Sequence, residues 1–423
     1  MNLLIFSDHH SASEINTRAR LHTRWRLLVA LLNFVMVAAL GVLLRWHLFD
    51  PIGGLVYPYL IHAHSHLAFL GWVFMALFAL LSYVFLPAEK VIKPIYTILF
   101  VMLQIANLGM LFTFPFTGYA LWSIIFSSLH AVASIVFAII FILDLRFVSG
   151  QHNRYIILLI KWSLILMIIS NLGPFALGPI MAQGQGYSDI YYLVIYYYLH
   201  FQYNGWFTFA VLGLMLWYLA KKGVKFNHQQ YKLFFYFNLL AVFPAYVLSA
   251  LWLEPALAWY WVGGVAAIMQ LIANFILLQI LFKNRMLLLK SKPIFILLIS
   301  IVIAAYTAKN LLQFGSAIPD LAYLAFNSRP LIIAYLHLVL IGFISVALIF
   351  FIVSLGFITL NRYVHLSLIL FIAAFTASEL LLVFPMQGKQ GIWLLLMALI
   401  QLFAILFLWF KCIASKTLKM MND

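Results

Sequence analysis

Long apolar runs recur along almost the whole chain, and short polar stretches separate them. A helix that crosses a bilayer needs about 20 mostly apolar residues. The apolar runs predict twelve helices, at about 25–48, 58–86, 94–115, 119–144, 154–180, 189–220, 231–253, 256–283, 293–313, 329–357, 363–385 and 390–412. The connections are too short for a separate folded domain. We therefore expect one transmembrane domain over 25–412, an N-terminal tail over 1–24 and a C-terminal tail over 413–423.

Glycine and proline mark where the predicted helices should break or bend. Two Gly-Pro pairs predict a break close to the end of the fifth helix, and Phe243-Pro244 predicts a kink in the seventh. A membrane helix tolerates such a kink when neighbouring groups satisfy the freed backbone carbonyl. We see no short-period sequence repeat.

The composition agrees with a polytopic membrane protein, because 66% of the residues are hydrophobic and only 8% are charged. The formal charge of +15 would suit a nucleic-acid-binding protein, but the lysines and arginines lie in the predicted loops. With the N-terminus in the cytoplasm, 21 basic residues fall on the inner side and four on the outer side. We therefore expect cytoplasmic termini, a multi-pass protein of a bacterial inner membrane, and no nucleic-acid partner.

Histidines provide the candidate chemistry. The stretch 59–72 carries three of them at the start of a long apolar helix, and ionisable groups inside a bilayer are costly and usually functional. Three more lie at a similar depth on other even-numbered helices, roughly 6–17 Å below the outer face. The predicted metal or cofactor ligands are His62, His64 and His66 on helix 2, His130 on helix 4, His200 on helix 6 and His337 on helix 10.

The chemistry of this layer is that of neutral imidazole, which is a common metal ligand and binds haem iron. The spacing puts His62 and His66 on one face of helix 2 and His64 on the opposite face. The single cysteine, Cys412, excludes a disulfide framework, a thiolate metal site and covalent haem attachment through Cys-x-x-Cys-His.

Three short motifs resemble those of a known family. The runs Ala334-Tyr-Leu-His-Leu-Val-Leu-Ile341 and His200-Phe-Gln-Tyr-Asn-Gly-Trp-Phe207 resemble helices 10 and 6 of subunit I of the haem–copper oxidases, a family that includes nitric-oxide reductases and cbb-type oxidases. The helix-2 run His64-x-His66-x4-Gly71-Trp72 is similar to that of NnrS proteins, which are twelve-helix relatives of the oxidases.

The resemblance implies an all-α, twelve-helix bundle of the subunit I type that binds haem b. His337 and either His64 or His66 would be the axial ligands of a low-spin haem, and His200 would be a copper ligand. Arg329 would pair with a haem propionate. Two departures limit the likeness: helix 7 lacks the family's histidine pair, and Tyr335 stands where the high-spin haem ligand should be.

We therefore expect a membrane-bound b-type haem protein, an oxidoreductase with an altered active site, in respiratory electron transfer or chemistry of nitric oxide or dioxygen. Its low-spin haem site would be retained and its binuclear site degenerate. The expected partners are the lipid bilayer, a quinol or cytochrome electron donor, and further subunits. Two alternatives stay open: a non-haem copper or zinc membrane protein or transporter, and a non-catalytic oxidase-related subunit or assembly factor.

Overall fold

The computed structural model describes residues 2–148, 152–384 and 388–415, with side chains from residue 13 onwards. Within these residues the chain consists of helices joined by short connections and has no strand. Twelve long helical segments are labelled in chain order: α1 Asn2–His47, α2 Tyr57–Phe85, α3 Pro94–Thr117, α4 Leu121–Val148, α5 Arg154–Ala182, α6 189–221, α7 His228–Val242, α8 Leu257–Lys283, α9 Pro293–Gly315, α10 Arg329–Ser354, α11 Arg362–Val383 and α12 Gln390–Ala414.

Every predicted helix has a counterpart, and ten of the twelve are long and apolar enough to cross a membrane. The chain is therefore a multi-pass α-helical membrane protein. The other two are α6, whose apolar character is diluted by tyrosines and amide side chains, and α7, which has only 15 residues. A count of twelve spans and the placement of the termini stay predictions.

The helix boundaries can be compared with the prediction at α1, α5 and α7. α1 begins at Asn2, so the predicted N-terminal tail is part of the first helix, and from residue 416 onwards the predicted C-terminal tail lies outside the described residues. The break in α5 falls at Asn171, whereas Pro179 lies inside the helix that follows. α7 stops at Val242, and the chain continues as a 3₁₀ turn from Pro244, as the kink predicted.

The described residues form two compact units. The first comprises 2–148, 351–384 and 388–415, and the second comprises 152–350. In the first unit α2 is the most enclosed helix, because 83% of its most apolar stretch is buried. It packs against α1 and α3, and the Trp72 ring stacks on Phe34 with centroids 4.3 Å apart.

In the second unit the enclosed helix is α6, where every residue from 200 to 216 is buried. α5 packs along it, while α7, α8 and α9 pack in sequence beside one another. Residues 329–350 of α10 belong to this unit and pack against α9. Residues 342–350 are buried. Both units therefore place a histidine-bearing helix at their centre.

Candidate functional site

Three helices change from α-helical to π-helical winding at the histidines that the sequence singles out. In α2 the π segment is Leu67–Phe74, directly after His66. In α6 it is His200–Phe207, and in α10 it is Leu338–Ser345, directly after His337. These are the only π segments among the described residues, and each continues into a buried stretch of helix.

The wide turns leave backbone carbonyls that need hydrogen-bond donors inside an apolar core. Hydroxyls eight residues after the histidine supply them in two helices: Thr208 Oγ1 donates to the carbonyl of Tyr203 at 2.6 Å, and Ser345 Oγ donates to that of Leu340 at 2.7 Å. The same position in α2 is Phe74, which has no donor.

In α2 neighbouring helices supply the donors instead. Asn33 Nδ2 on α1 donates to the carbonyl of Gly71 at 2.8 Å, and Asn107 Nδ2 on α3 donates to that of Leu70 at 3.3 Å. Asn33 also forms two reciprocal hydrogen bonds with Gln104, of 2.8 and 3.0 Å. These buried amides therefore hold the π segment rather than a ligand.

The three α2 histidines divide between two faces, as their spacing predicts. His64 turns toward α1, where its Nδ1 lies 3.1 Å from the carbonyl oxygen of Val37. His66 Nδ1 lies 2.9 Å from the carbonyl oxygen of His62, and its Nε2 lies 3.3 Å from the hydroxyl of Tyr119. The ring of His62 meets the ring of Tyr119 edge-on at 4.8 Å.

These contacts determine which ring nitrogen carries the proton in the neutral imidazoles. A carbonyl oxygen only accepts, so Nδ1 of His64 and Nδ1 of His66 must both donate. Nε2 of each ring is then the basic nitrogen, and in His66 it accepts from Tyr119. A histidine that binds a metal typically donates its other N–H to a carbonyl or carboxylate in this way.

His130 on α4 lies in the same unit and is 2% exposed. Its ring lies close to the carbonyl of Leu70, in the π segment of α2, and packs edge-on against Phe74 at 5.0 Å. Its Nε2 is buried and has no hydrogen-bond partner. His66 is close enough to interact with it electrostatically. His130 therefore combines a structural contact with one buried nitrogen left over.

His200 in the second unit is fully buried, and both ring nitrogens are engaged. Nε2 donates to the carbonyl of Val242 at 2.8 Å, and Nδ1 accepts from Nδ2 of Asn204 at 3.2 Å. Val242 is the last residue of α7, and the last carbonyls of a helix lack partners within it. His200 thus binds the broken end of α7, which gives it a structural role that the sequence did not predict.

The remaining predicted site residues lie on α10. His337 is half-buried and ends the α-helical part of this helix, whereas Arg329 is exposed at its first residue. The rings of Tyr335 and Tyr203 meet edge-on at 6.3 Å, and their hydroxyls are close enough to interact. Tyr335 therefore has a partner that accounts for its hydroxyl without a metal.

The described residues contain no group of three or more His, Cys, Asp or Glu side chains that could hold a metal ion. A copper site on His200 would also have to displace its bond to Asn204. The residues present therefore do not fit a copper ion there, whereas an axial ligand of haem needs only one basic nitrogen, such as Nε2 of His64, or Nε2 of His66 once it gives up its bond to Tyr119. Copper stays a prediction.

Two features of this region were missed from the sequence. One is a long-period repeat, His-x4-Gly followed by Trp or Phe, which begins at His66, His200 and His337 and marks each π segment. The other is Lys309 on α9, one of the four basic residues that the sequence analysis counts on the outer side. It is 1% exposed, and its Nζ donates to Oε1 of Gln313 at 2.7 Å.

Comparison with known proteins does not identify a family. No family model matches the chain, and no curated protein matches it by sequence.

Proposed function

We propose that this protein is a membrane-embedded b-type haem protein that works in respiratory electron transfer or in nitric-oxide or dioxygen chemistry. The observation that carries the proposal is the change from α to π winding at His66, His200 and His337, on α2, α6 and α10. The motif resemblance independently selects the same three helices.

The physical reason is that π-helical turns and intramembrane histidines are each costly, and in this chain they occur together. π-helical turns are rare and are found mainly at functional sites. Imidazoles deep in a bilayer are rare for the same reason that other ionisable groups are. Chance would distribute π turns over any of the twelve helices, but here they coincide with a histidine each time.

The proposal assigns axial ligation to His337 and to one of His64 and His66, the roles that the resemblance implies. His64 and His66 both keep Nε2 as the basic nitrogen because a backbone carbonyl binds Nδ1. A haem held by two imidazoles is six-coordinate, which suits electron transfer. The engaged nitrogens of His200 support a degenerate binuclear site.

The test is an optical spectrum, with iron, copper and zinc measured on the same sample of protein purified from haem-replete cells. We expect a b-type spectrum and about one iron per chain. His337→Ala should abolish the spectrum, and one of His64→Ala and His66→Ala should do the same. His365→Ala is the matched control, because this half-buried histidine lies at the start of α11, away from the π segments, and its loss should leave the spectrum unchanged.

A colourless preparation without iron would overturn the haem assignment. Copper or zinc without iron would instead favour a non-haem metal protein. The buried Nε2 of His130, which has no hydrogen-bond partner, is the observation that supports this second candidate. His130→Ala should then remove the metal, whereas under the haem proposal it should leave the b-type spectrum in place.

A further inference from the structure

A long groove runs between α8 and α9 in the second unit, away from the histidines. Its volume is about 680 Å³, within the range of small-molecule sites, and its walls are almost entirely apolar. Along α9 the lining extends from Ile296 to Leu311, about 22 Å at 1.5 Å per residue. One leaflet of hydrocarbon is only about 15 Å thick, so the groove is long enough for a complete acyl chain.

Small side chains make the groove concave. Ser300, Ala304 and Ala308 follow one another at intervals of four and therefore lie on one face of α9. Thr307, which also lines the groove, is hydrogen-bonded to Asn274 on α8 at 3.0 Å, and this bond joins the two helices. The groove is therefore a gap between α8 and α9, which this hydrogen bond joins, and the gap opens toward the outside of the unit.

Positive charge is concentrated at one end of the groove. Arg285 is the only charged residue that lines it, and one of its five guanidinium N–H groups donates to the carbonyl of Phe282 at 3.0 Å. Lys283, Lys290 and Lys292 lie in the same short connection and are exposed. This connection is on the side that the charge distribution predicts to be cytoplasmic.

We propose that the groove binds one anionic phospholipid, with an acyl chain along α9 and the headgroup phosphate on Arg285. Basic pockets between membrane helices on the cytoplasmic side bind anionic headgroups, and arginine binds phosphate through two N–H groups. The groove is not a site for quinol oxidation, because none of its lining residues is an Asp, Glu or His that could take a proton.

The experiment is native mass spectrometry of the full chain released from vesicles that contain equal amounts of phosphatidylglycerol and phosphatidylcholine. Wild type should retain one phosphatidylglycerol. Arg285→Gln should weaken this retention about fivefold, and Ala304→Phe, which fills the groove, should abolish it. Arg362→Gln and Ala373→Phe are matched controls at exposed positions on α11 that do not line this groove, and both should behave as wild type.

Equal retention of both lipids would overturn the proposal, because it would show only nonspecific annular lipid. Retention of phosphatidylglycerol by Arg285→Gln at the wild-type level would also overturn it, because the headgroup would then not be bound by Arg285. Retention of a quinone in place of the phospholipid would overturn it as well. The melting temperature of each variant is measured in parallel, so that loss of lipid is compared among folded proteins only. The lipid proposal does not depend on haem, and either proposal can fail alone.

Discussion

Buried amides at the π segment of α2 show how single side chains support this fold. Asn33 and Gln104 come from α1 and α3, and they bond to each other as well as to the carbonyl of Gly71. Such bonds have no competing water in the bilayer interior. Their measured contribution is nevertheless modest, because the unfolded chain in a membrane also finds partners.

The Asn33–Gln104 contact can be measured by a double-mutant cycle. We expect Asn33→Leu and Gln104→Leu to be coupled by about 0.6 kcal/mol, and at most about 1.7 kcal/mol, in the free energy of unfolding in detergent. As a control, Ser367 bonds to Ala404 and shares no partner with Asn33. Ser367→Ala should be additive with Asn33→Leu, and equal coupling in both cycles would show that the amides do not interact specifically.

Lys309 is a buried lysine with amide partners instead of a carboxylate. Its Nζ contacts Gln313 and, at 3.4 Å, Asn310, and no ion pair to it is found among the described residues. Burying an amine without a carboxylate partner costs free energy, so an apolar side chain of similar size is expected to be neutral or stabilising at this position.

Lys309→Met should therefore leave the free energy of unfolding within about 1 kcal/mol of wild type, or raise it. Lys309→Ala controls for packing and should be less stable than the methionine variant because it leaves a cavity. Chemical unfolding in detergent measures both. A loss of more than about 3 kcal/mol in Lys309→Met would mean that the amine itself stabilises the second unit.

At the scale of elements, a loop is tied to the end of a helix by an ion pair. Lys90, in the short helix Ala88–Val91, donates to Asp144 at 2.6 Å, and Tyr96 donates to the other oxygen of that carboxylate at 3.0 Å. The hydrogen bond to Asp144 raises the pKa of Lys90 above its usual 10.5.

The sign of the pH dependence follows from this shift. A raised pKa means that the pair stabilises the fold fully below pH 10.5 and that this contribution is lost as the pH rises through the raised pKa. Lys90→Met should melt below wild type at pH 8, and the difference should disappear at strongly alkaline pH. Glu89→Gln is an exposed control that should match wild type at both values. A difference that persists at alkaline pH would contradict the ion-pair origin.

The π segment of α6 also needs glycine where α5 approaches it. A Cβ at Gly205 would lie 3.0 Å from Cβ of Leu166 on α5, an atom that cannot move without its backbone. Gly205→Ala should cost about 1–3 kcal/mol of stability through overpacking. Gly264→Ala on α8 is the matched control, because its Cβ would meet only Ala317 at 3.5 Å.

Gly264→Ala should be neutral or stabilising, since alanine is the better helix former. Thermal unfolding of both variants in the same detergent gives the comparison. Equal melting temperatures would mean that α5 and α6 are less closely packed at Gly205 than the distances indicate.

The helices were predictable from sequence, but their winding and partners were not. An apolar run of about 20 residues identifies a helix by itself, which is why all twelve predicted segments have counterparts. A π turn adds one residue to a helical turn inside an apolar run, and the hydrophobic pattern of the sequence there does not change. The partner of His200 is Val242, on a different helix, so sequence spacing contains no information about that contact.

At the scale of the whole molecule, the open question is whether α6 and α7 both cross the membrane. The basic residues predict that they do: the connection 222–227, with Lys222 and Lys225, should face the cytoplasm, and Glu254 should face the opposite side. α7 is shorter than a typical span, and its 3₁₀ continuation to Ser249 would have to cover the remaining depth.

Cysteine accessibility decides between a crossing and a re-entrant segment. In a Cys412→Ser background, which removes the only natural cysteine, Lys225→Cys and Glu254→Cys should react with an impermeant maleimide from opposite faces of the membrane. Lys225→Cys should react in inverted vesicles and Glu254→Cys in right-side-out ones. Labelling of both from one face would make α7 re-entrant. Each helix after α7 would then have the reverse orientation, which would place the basic connection 284–292 on the outside, against the charge rule.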